Sequence, residues 1–269
     1  MSDKIRIENN IRVVRRFVDE VWNQGNLAIA DEIIAPAAVN PDGAMAAGPE
    51  SVKDLVRGIR EAFAPFHRNV HDIVANETHV TVHWTTTGVH SANYSMFPYP
   101  VTGEQVSITG VVTFELVDGK ISSEPWSLWN IERIPETLAA GTVKRYVSDI
   151  WNAGNPALLG EFVTDNHVRH QPGGDIVGID ALSSAITALR VGFPDLRFDA
   201  TVIPANDGGK TVTRRWVMTG THEGVYAGIA PTGRSVLSTG VGVSRFEDGK
   251  IIEEWISRDD LGLLAQLGR

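Results

Sequence analysis

Asp259, near the end of the chain, is the residue whose type and position most directly suggest proton-transfer chemistry. The segment KRYVSDIWNAGN at residues 144–155 repeats RRFVDEVWNQGN at 15–26, and EDGKIIEEWISRDD, ending at Asp260, repeats VDGKISSEPWSLWN, ending at Asn130. Positions that agree between two copies report on the fold, and positions that differ can report on function. The sharpest difference is Asp259 against Asn130, because a carboxylate can exchange a proton and an amide side chain cannot.

Other candidates lie on a segment that alternates like a β-strand. Arg214, Trp216 and Met218 share one face of this strand, and Arg215 lies on the other. One of the two arginines could bind a substrate oxygen or stabilise an enolate, with a surface salt bridge as the alternative. Trp216 matches Trp84 in the first copy and fits either a core or a pocket wall.

Two further candidates occur in both copies. Trp151, on the opening helix of the second copy, matches Trp22, and both should face inward, as a cavity floor or as ordinary packing. His222 in GTHEG is matched by His90 in GVHSA. The agreement indicates a shared structural role or a position at the rim of a pocket.

Several enzyme classes are excluded by missing motifs. The sequence contains no cysteine, so it has no disulfide, thiolate metal site or cysteine nucleophile. It contains no HExxH, P-loop, dinucleotide-binding glycine pattern or GxSxG elbow. His67 and His71 are predicted on a strand, where their spacing keeps the rings too far apart to share a metal. We therefore expect neither a metal nor a cofactor.

Composition limits the partners. The chain has 269 residues, 42% of them hydrophobic, and a net charge of −9 with a pI near 5.4. Nucleic acid and anionic membrane surfaces repel an acidic protein, so we expect neither as a partner and a small-molecule substrate instead. The N-terminus lacks a signal-like apolar region, and no apolar stretch approaches the roughly 20 residues that span a bilayer. These features predict a cytoplasmic protein.

The repeat spacing of about 130 residues predicts two domains of the same design. Each copy begins with amphipathic helices and changes to Val-, Ile- and Thr-rich strands joined by Asp-Gly turns at 118–119 and 248–249. This order predicts an α+β fold with helices on one face of a curved antiparallel sheet. We assign residues 1–130 to the first domain, 131–140 to a linker and 141–269 to the second domain.

The second copy resembles the SnoaL-like polyketide cyclases of the nuclear transport factor two-like superfamily. The resemblance rests on MTGTHEG, GIAPTGR, RFEDGKIIEEW and DDLGLLAQLG, an ordered set within residues 141–269. The first copy fits more loosely, because it carries the longer loop TGVHSANYSMFPYPVTGE and lacks the LGLL.QLG ending. The resemblance implies two tandem cone-shaped α+β barrels, each closed by its opening helix around an apolar pocket.

The resemblance also implies an active site. The best-studied members are cofactor-free and close a ring by intramolecular aldol condensation, with an aspartate four residues after the tryptophan of GKI.E.W as general acid/base. That residue is Asp259 here, and strand alternation places Trp255 and Ser257 on its face and Asp260 on the other. Helix capping is the alternative role for Asp259. His170 resembles the family's histidine at the first strand and is a candidate substrate contact.

Three functions remain open from the sequence. The first is a cyclase acting on a small, largely apolar polyketide-like substrate, and the second is a hydrolase, dehydratase or isomerase that uses the same pocket. The third is a non-catalytic small-molecule-binding protein. We expect catalysis in the second half only, because Asn130 cannot transfer a proton. The halves are predicted to pair their sheets as a pseudo-dimer within one chain, and whole chains could associate further.

Overall fold

The computed structural model of the chain describes residues 3–39, 48–131 and 133–269, with residues 124–127 and 129 described by their backbone alone. The chain forms two compact units. The first comprises Met1–Tyr94 and Gly103–Arg133, and the second comprises Ser95–Thr102 and Ile134–Arg269.

Both units repeat one order of elements, as the duplicated sequence predicts. The first unit contains α1 Asp3–Arg16, a π-helical segment Phe17–Asn23, α2 Ile29–Ile33, β1 Ile34–Val39, α3 Pro49–Ala62, β2 His67–Ala75, β3 His79–Val89, β4 Gln105–Val117 and β5 Lys120–Trp129. The second contains α4 Arg133–Arg145, a π-helical segment Tyr146–Asn152, a 3-10 turn Pro156–Leu158, α5 Leu159–Phe162, β6 Val163–His170, β7 Ile176–Val177, α6 Ile179–Gly192, β8 Arg197–Pro204, β9 Thr211–Thr221, β10 Ser235–Glu247, β11 Lys250–Arg258 and α7 Asp260–Leu267.

Each unit is a sheet packed with helices, which confirms the predicted α+β class. The strand order is β1-β5-β4-β3-β2 in the first sheet and β7-β6-β11-β10-β9-β8 in the second. The sheets are mixed rather than purely antiparallel, because β1 pairs with β5 and β6 with β11 in parallel. A parallel neighbour needs a long crossover connection, and the intervening helices and strands provide it.

The opening helices bury the apolar stripe that the sequence predicts. Val14, Phe17 and Val21 are at most 6% exposed, since they recur on one side of the helix. The chain then turns at Gly25 and Gly154, whose φ angles are 73° and 68°. Glycine adopts this left-handed conformation without steric cost, so the WN.GN motif ends both helices.

The predicted linker at 131–140 is largely helical, which corrects the expected boundary. Helix α4 begins at Arg133 and continues without a break to Arg145. Pro135 suggested a linker, but it lies in the first turn, where proline disturbs no helical hydrogen bond. Residues 134–140 of the expected linker therefore lie in the first helix of the second unit.

A β-bulge in β11 decides which side chains face the interior. Arg245 pairs with Glu253 and the next residue, Phe246, pairs with Ile251, so Ile252 is an extra residue on β11. The bulge shifts the alternation by one position. Ile251 is therefore buried, whereas Trp255, four residues later, is 43% exposed.

Part of the long loop in the first copy belongs to the second unit. Residues 95–102 pack there, with Tyr99 8% exposed and its hydroxyl donating to the carbonyl of Gly209 over 3.4 Å. The guanidinium of Arg145 donates to the carbonyl of Val101 over 2.5 Å. The predicted division at residue 130 separates this segment from the unit with which it packs.

Replacing Gly249 with Ala should destabilise the second unit. Gly249 has a φ of 75°, and an added Cβ would lie 1.7 Å from the carbonyl oxygen of Pro98. A non-glycine residue in this conformation costs roughly 1–3 kcal/mol, and the backbone clash adds to it. Gly119, in the matching turn of the first unit, has the same φ and nothing within 4 Å of an added Cβ. Urea unfolding should show a larger loss for Gly249→Ala than for Gly119→Ala, and equal losses would contradict the packing of segment 95–102.

Candidate functional site

The second unit contains a narrow cleft between its π-helical segment and the inner face of its sheet. The lining side chains are Val147, Trp151, Arg169, Phe198, Arg214 and Trp216. The space open to the centre of a water molecule is about 20 Å³, which is room for roughly one or two waters. A larger ligand therefore requires the lining side chains to move.

Three aromatic rings form the wall of the cleft. The ring centroids of Trp151 and Phe198 lie 5.5 Å apart at 74°, and those of Phe198 and Trp216 lie 5.2 Å apart at 78°. These edge-to-face contacts are favourable aromatic arrangements. Gly240 makes room for Trp216 on the neighbouring strand, because an added Cβ there would lie 2.2 Å from the indole ring. Gly240 thus has a packing role.

A buried carboxylate lies beneath the cleft and binds both arginines. Glu254 is fully buried, and its Oε1 accepts a hydrogen bond from Nη2 of Arg214 over 2.5 Å. Its Oε2 accepts one from Nη1 of Arg169 over 3.0 Å. The hydroxyl of Ser244 donates to Oε1 over 3.2 Å and accepts from Nη1 of Arg214 over 2.6 Å. Arg169 also lies over the Trp151 ring, 4.8 Å from its centroid. We name Glu254, Arg169, Arg214 and Ser244 the charged cluster.

The arginines keep Glu254 ionised. Burial raises the pKa of this carboxyl, but the charges of Arg214 and Arg169 lower the pKa by more than burial raises it. The net pKa is therefore well below the ordinary value. A carboxylate with such a low pKa is a poor proton acceptor near neutral pH. Glu254 is therefore suited to hold the guanidinium groups in place rather than to abstract a proton.

Two more buried groups contact Glu254. The hydroxyl of Tyr146 donates to Oε2 over 3.3 Å, and its pKa is raised first by burial and then by the charge of Glu254. Nε2 of His167 also lies 3.3 Å from Oε2, within ion-pair distance but outside hydrogen-bond geometry. The carboxylate is thus approached by polar groups on both oxygens.

Asp259 lies outside this cleft, which corrects the expectation that it projects into an apolar cavity. Its side chain is exposed, and Oδ1 accepts a hydrogen bond from the backbone N–H of Gly262 over 2.7 Å, which caps helix α7. The strand alternation was assigned correctly, because Trp255, Ser257 and Asp259 are all exposed. The inference that this face of β11 lines the pocket was wrong, because it is the outer face of the sheet.

His170 also lies on the outer face rather than in the pocket. Its ring stacks on Trp255 with centroids 5.5 Å apart, and Nε2 and Nδ1 lie 2.9 and 3.0 Å from Glu253 and Asp175. Hydrogen bonds to these carboxylates raise the pKa of His170. Buried residues of β6 alternate with His170, so Arg169 is the residue that faces the cleft.

His222 is buried but does not line the cleft. Its ring lies 5.3 Å from that of Phe193, and Nδ1 lies 3.1 Å from the hydroxyl of Thr232. In the first unit, His90 is likewise 5.5 Å from Phe63. The shared arrangement agrees with a structural role for both histidines. His222 is not among the residues that line the cleft.

The structure brings three predicted residues together and adds three that the sequence interpretation missed. Trp151, Arg214 and Trp216 line one cleft, as their alternation and helical position suggest. Arg169, Phe198 and Glu254 were not singled out. The alternation of residues along HVRH (167–170) and EEW (253–255) groups the side chains by face. It would have identified Arg169 and Glu254 as inward-facing if the sequence also showed which face of the sheet the helices cover.

The family comparison agrees with the duplicated architecture. The profile of SnoaL-like polyketide cyclases matches residues 12–132 and again residues 141–267. The chain belongs to this family. This membership supports an enzyme of cyclase or isomerase type.

Solved structures that resemble this SnoaL-like chain each match about half of it. A protein from Jannaschia sp. CCS1, described as a SnoaL-like polyketide cyclase, is 25% identical, with 49% of this chain and 92% of that chain covered and a TM-score of 0.46. IdmH from Streptomyces antibioticus, described as a polyketide cyclase, is 28% identical over 49% of this chain and 99% of its own, with a TM-score of 0.43. A polyketide cyclase-like protein from Xanthomonas campestris pv. campestris is 20% identical over 50% and 99%, with a TM-score of 0.46. A comparison with curated proteins found no match.

At two matched positions the first SnoaL-like repeat has an apolar side chain where the second has a polar one. Cross-strand pairing matches Trp84 to Trp216, so Val82 stands in the place of Arg214. The repeated opening helix matches Phe17 to Tyr146. Both first-repeat residues are buried in an apolar core.

Arg68 occupies the position that Phe198 has in the second repeat. The backbone N–H of each donates to the asparagine of the WN motif, Asn23 or Asn152, over 2.7 and 2.6 Å. The guanidinium carbon of Arg68 lies 4.0 Å from the ring centroid of Trp22. A cation therefore packs on the first-repeat tryptophan where the second repeat has a third aromatic ring.

The described parts of this SnoaL-like chain contain no group of three or more His, Cys, Asp or Glu side chains that could hold a metal. None of the described helices is long and apolar enough to cross a membrane.

Proposed function

We propose that the second repeat catalyses a cofactor-independent, acid/base cyclisation of a small, largely apolar polyketide-like substrate. The observation that most supports this proposal is that the Arg214 guanidinium lines the same aromatic cleft as Trp216 and Phe198. Aromatic walls suit a flat, unsaturated ligand, and a guanidinium suits an oxygen that becomes negative during reaction. Arg214 of this cleft is replaced by the apolar Val82 in the first repeat, which supports catalysis in the second.

The proposed reaction is an intramolecular aldol condensation. A base removes a proton from the carbon next to a carbonyl group, and the resulting enolate carbon attacks a second carbonyl carbon of the same molecule. One C–C bond forms, and the attacked carbonyl oxygen takes up a proton. Arg214 would stabilise the enolate oxygen, an interaction that strengthens as the charge develops.

Asp259 is the proposed general base. Its support is the family resemblance and its place opposite Asn130 in the duplicated sequence. Both residues donate their backbone N–H to the matching threonine, Thr239 or Thr109, which agrees with this alignment. An ionised aspartate can accept a proton, whereas Asn130 cannot. For this role the carboxylate must release the N–H of Gly262 and turn toward the substrate.

Deuterium exchange at carbon tests this function without knowledge of the natural substrate. A set of aromatic β-keto esters is incubated in D₂O with the full chain, and deuterium incorporation at the acidic carbon is followed by NMR. We expect the wild-type protein to accelerate exchange and Arg214→Gln to lose most of the acceleration. Arg215→Gln is the matched control, because this neighbour is exposed on the opposite face. Equal rates in wild-type and Arg214→Gln would contradict the proposal.

A non-catalytic binding protein is the second candidate. The low pKa of Glu254 and the exposed position of Asp259 favour it, because neither carboxylate is poised as a base inside the cleft. Saturable binding of the same esters without accelerated exchange would support binding alone. Product analysis by mass spectrometry separates cyclisation from hydrolysis, dehydration and isomerisation, which share the proton-transfer step.

A further inference from the structure

The charged cluster carries one more positive charge than negative charge. Glu254 contributes one carboxylate, whereas Arg169 and Arg214 contribute two guanidinium groups. Among the described residues, no second carboxylate forms an ion pair with either arginine. The side chains of these arginines are only 7% and 4% exposed, so solvent compensates the excess charge poorly. A buried charge without a counter-charge is costly, which makes the two arginines that share this excess charge candidate ligand contacts.

The arginines also have hydrogen-bond donors to spare. A guanidinium has five N–H groups. Arg214 donates to Ser244 and Glu254, and Arg169 donates to Glu254 and, through Nε, to Gln171 over 3.3 Å. The remaining donors belong to two side chains that line the cleft. Guanidinium groups bind carboxylates and other planar oxyanions with good geometry.

We propose that the cleft binds aromatic or polycyclic ligands that carry an anionic oxygen group, with this group between Arg169 and Arg214. This inference rests on the proposed function, since it names the ligand class of the same cleft. The ring system contacts Trp151, Phe198 and Trp216, and the carboxylate or enolate neutralises the excess charge. Glu254 is then a positioning residue, because it orients both guanidiniums and leaves one charge for the ligand.

Matched acid and amide probes test the ligand class. The affinities of 2-naphthoate and its neutral near-isostere 2-naphthamide for the full chain are measured by isothermal titration calorimetry. The charge-assisted hydrogen bonds should make naphthoate bind roughly 10- to 100-fold more tightly than the amide. Equal affinities, or no binding of naphthoate up to its solubility limit, would overturn the inference.

Variants identify the groups responsible. Arg169→Gln should abolish most of the preference for naphthoate, and Arg169→Lys should keep part of it, because lysine retains the charge and loses the planar fork. Arg169→Gln leaves Glu254 paired with Arg214, so the fold should survive, which urea unfolding checks. Arg68→Gln is the control in the first repeat and should leave the preference unchanged. A preference that survives Arg169→Gln would contradict the proposed site.

The two proposals can fail separately. Accelerated deuterium exchange in neutral β-keto esters, combined with equal affinity for naphthoate and naphthamide, would retain the proposed function and reject the anionic ligand class. A strong preference for naphthoate without any exchange would retain the ligand class and reject the acid/base enzyme.

Discussion

Replacement of Glu254 with Gln is expected to lower the free energy of unfolding by roughly 3–5 kcal/mol, because it leaves two buried guanidiniums without a counter-charge. The carboxylate is fully buried, and it accepts hydrogen bonds from Arg169 and Arg214. A neutral amide can accept one of these bonds, but it cannot offset either charge. Urea unfolding followed by tryptophan fluorescence measures the loss.

The neighbouring glutamate supplies the control for this experiment. Glu253 lies on the outer face and pairs with Arg245 and His170. Solvent screens these contacts, so Glu253→Gln should change stability little. A small effect of Glu254→Gln, similar to that of Glu253→Gln, would show that the buried pairs contribute little to the fold.

The effect of Glu254→Gln should depend on pH. The pKa of Glu254 is lowered by folding, so its stabilisation is present above the unfolded pKa of about 4.3 and is lost as the pH falls through the lower folded pKa. The stability difference between wild type and variant should therefore be largest near neutral pH and shrink in acid. A difference that grows in acid would contradict the assigned direction of the pKa shift.

Asp259→Asn is expected to reduce kcat by roughly 10²- to 10⁴-fold with little change in KM, if kcat is measured on a substrate found by the exchange assay. Asparagine caps a helix about as well as aspartate, so the hydrogen bond from Gly262 and the stability should be retained. Asp259→Ala should lose the same activity and also about 1 kcal/mol of stability. This pair of variants separates the chemical role from the capping role.

Asp260 provides the matched control for Asp259. It is the next residue, lies in the first turn of α7, and forms an ion pair with Arg258 over 2.7 Å. Asp260→Asn should keep kcat within a small factor of the wild-type value. Full turnover by Asp259→Asn would show that Asp259 only caps the helix and would require another proton acceptor.

The side chains of the cleft show where sequence reasoning succeeds. Arg214 and Trp216 were predicted to share a strand face, and Trp151 to face inward from the opening helix, and all three line the cleft. Alternation along a strand and the 3.6-residue helical repeat are local properties, so the sequence reports them directly. The Asp-Gly turn at 248–249 was predicted for the same reason.

Errors arose where a local pattern did not determine the side of the sheet. Alternation grouped Trp255, Ser257 and Asp259 correctly, but the helices cover the opposite face of β11, where Glu254 is buried. The bulge at Ile252 increased the ambiguity, because one extra residue reverses the alternation.

The sequence by itself determined the duplication, the α+β class and the local periodicity of each element, because these depend on neighbours in the chain. Only the tertiary structure decided that Arg169 faces the cleft, that Glu254 is buried beneath it, that Asp259 caps a helix, and that residues 95–102 pack with the second unit. These features depend on which distant segments cover each face of the sheet. Contacts between segments far apart in the chain leave no fixed spacing in the sequence.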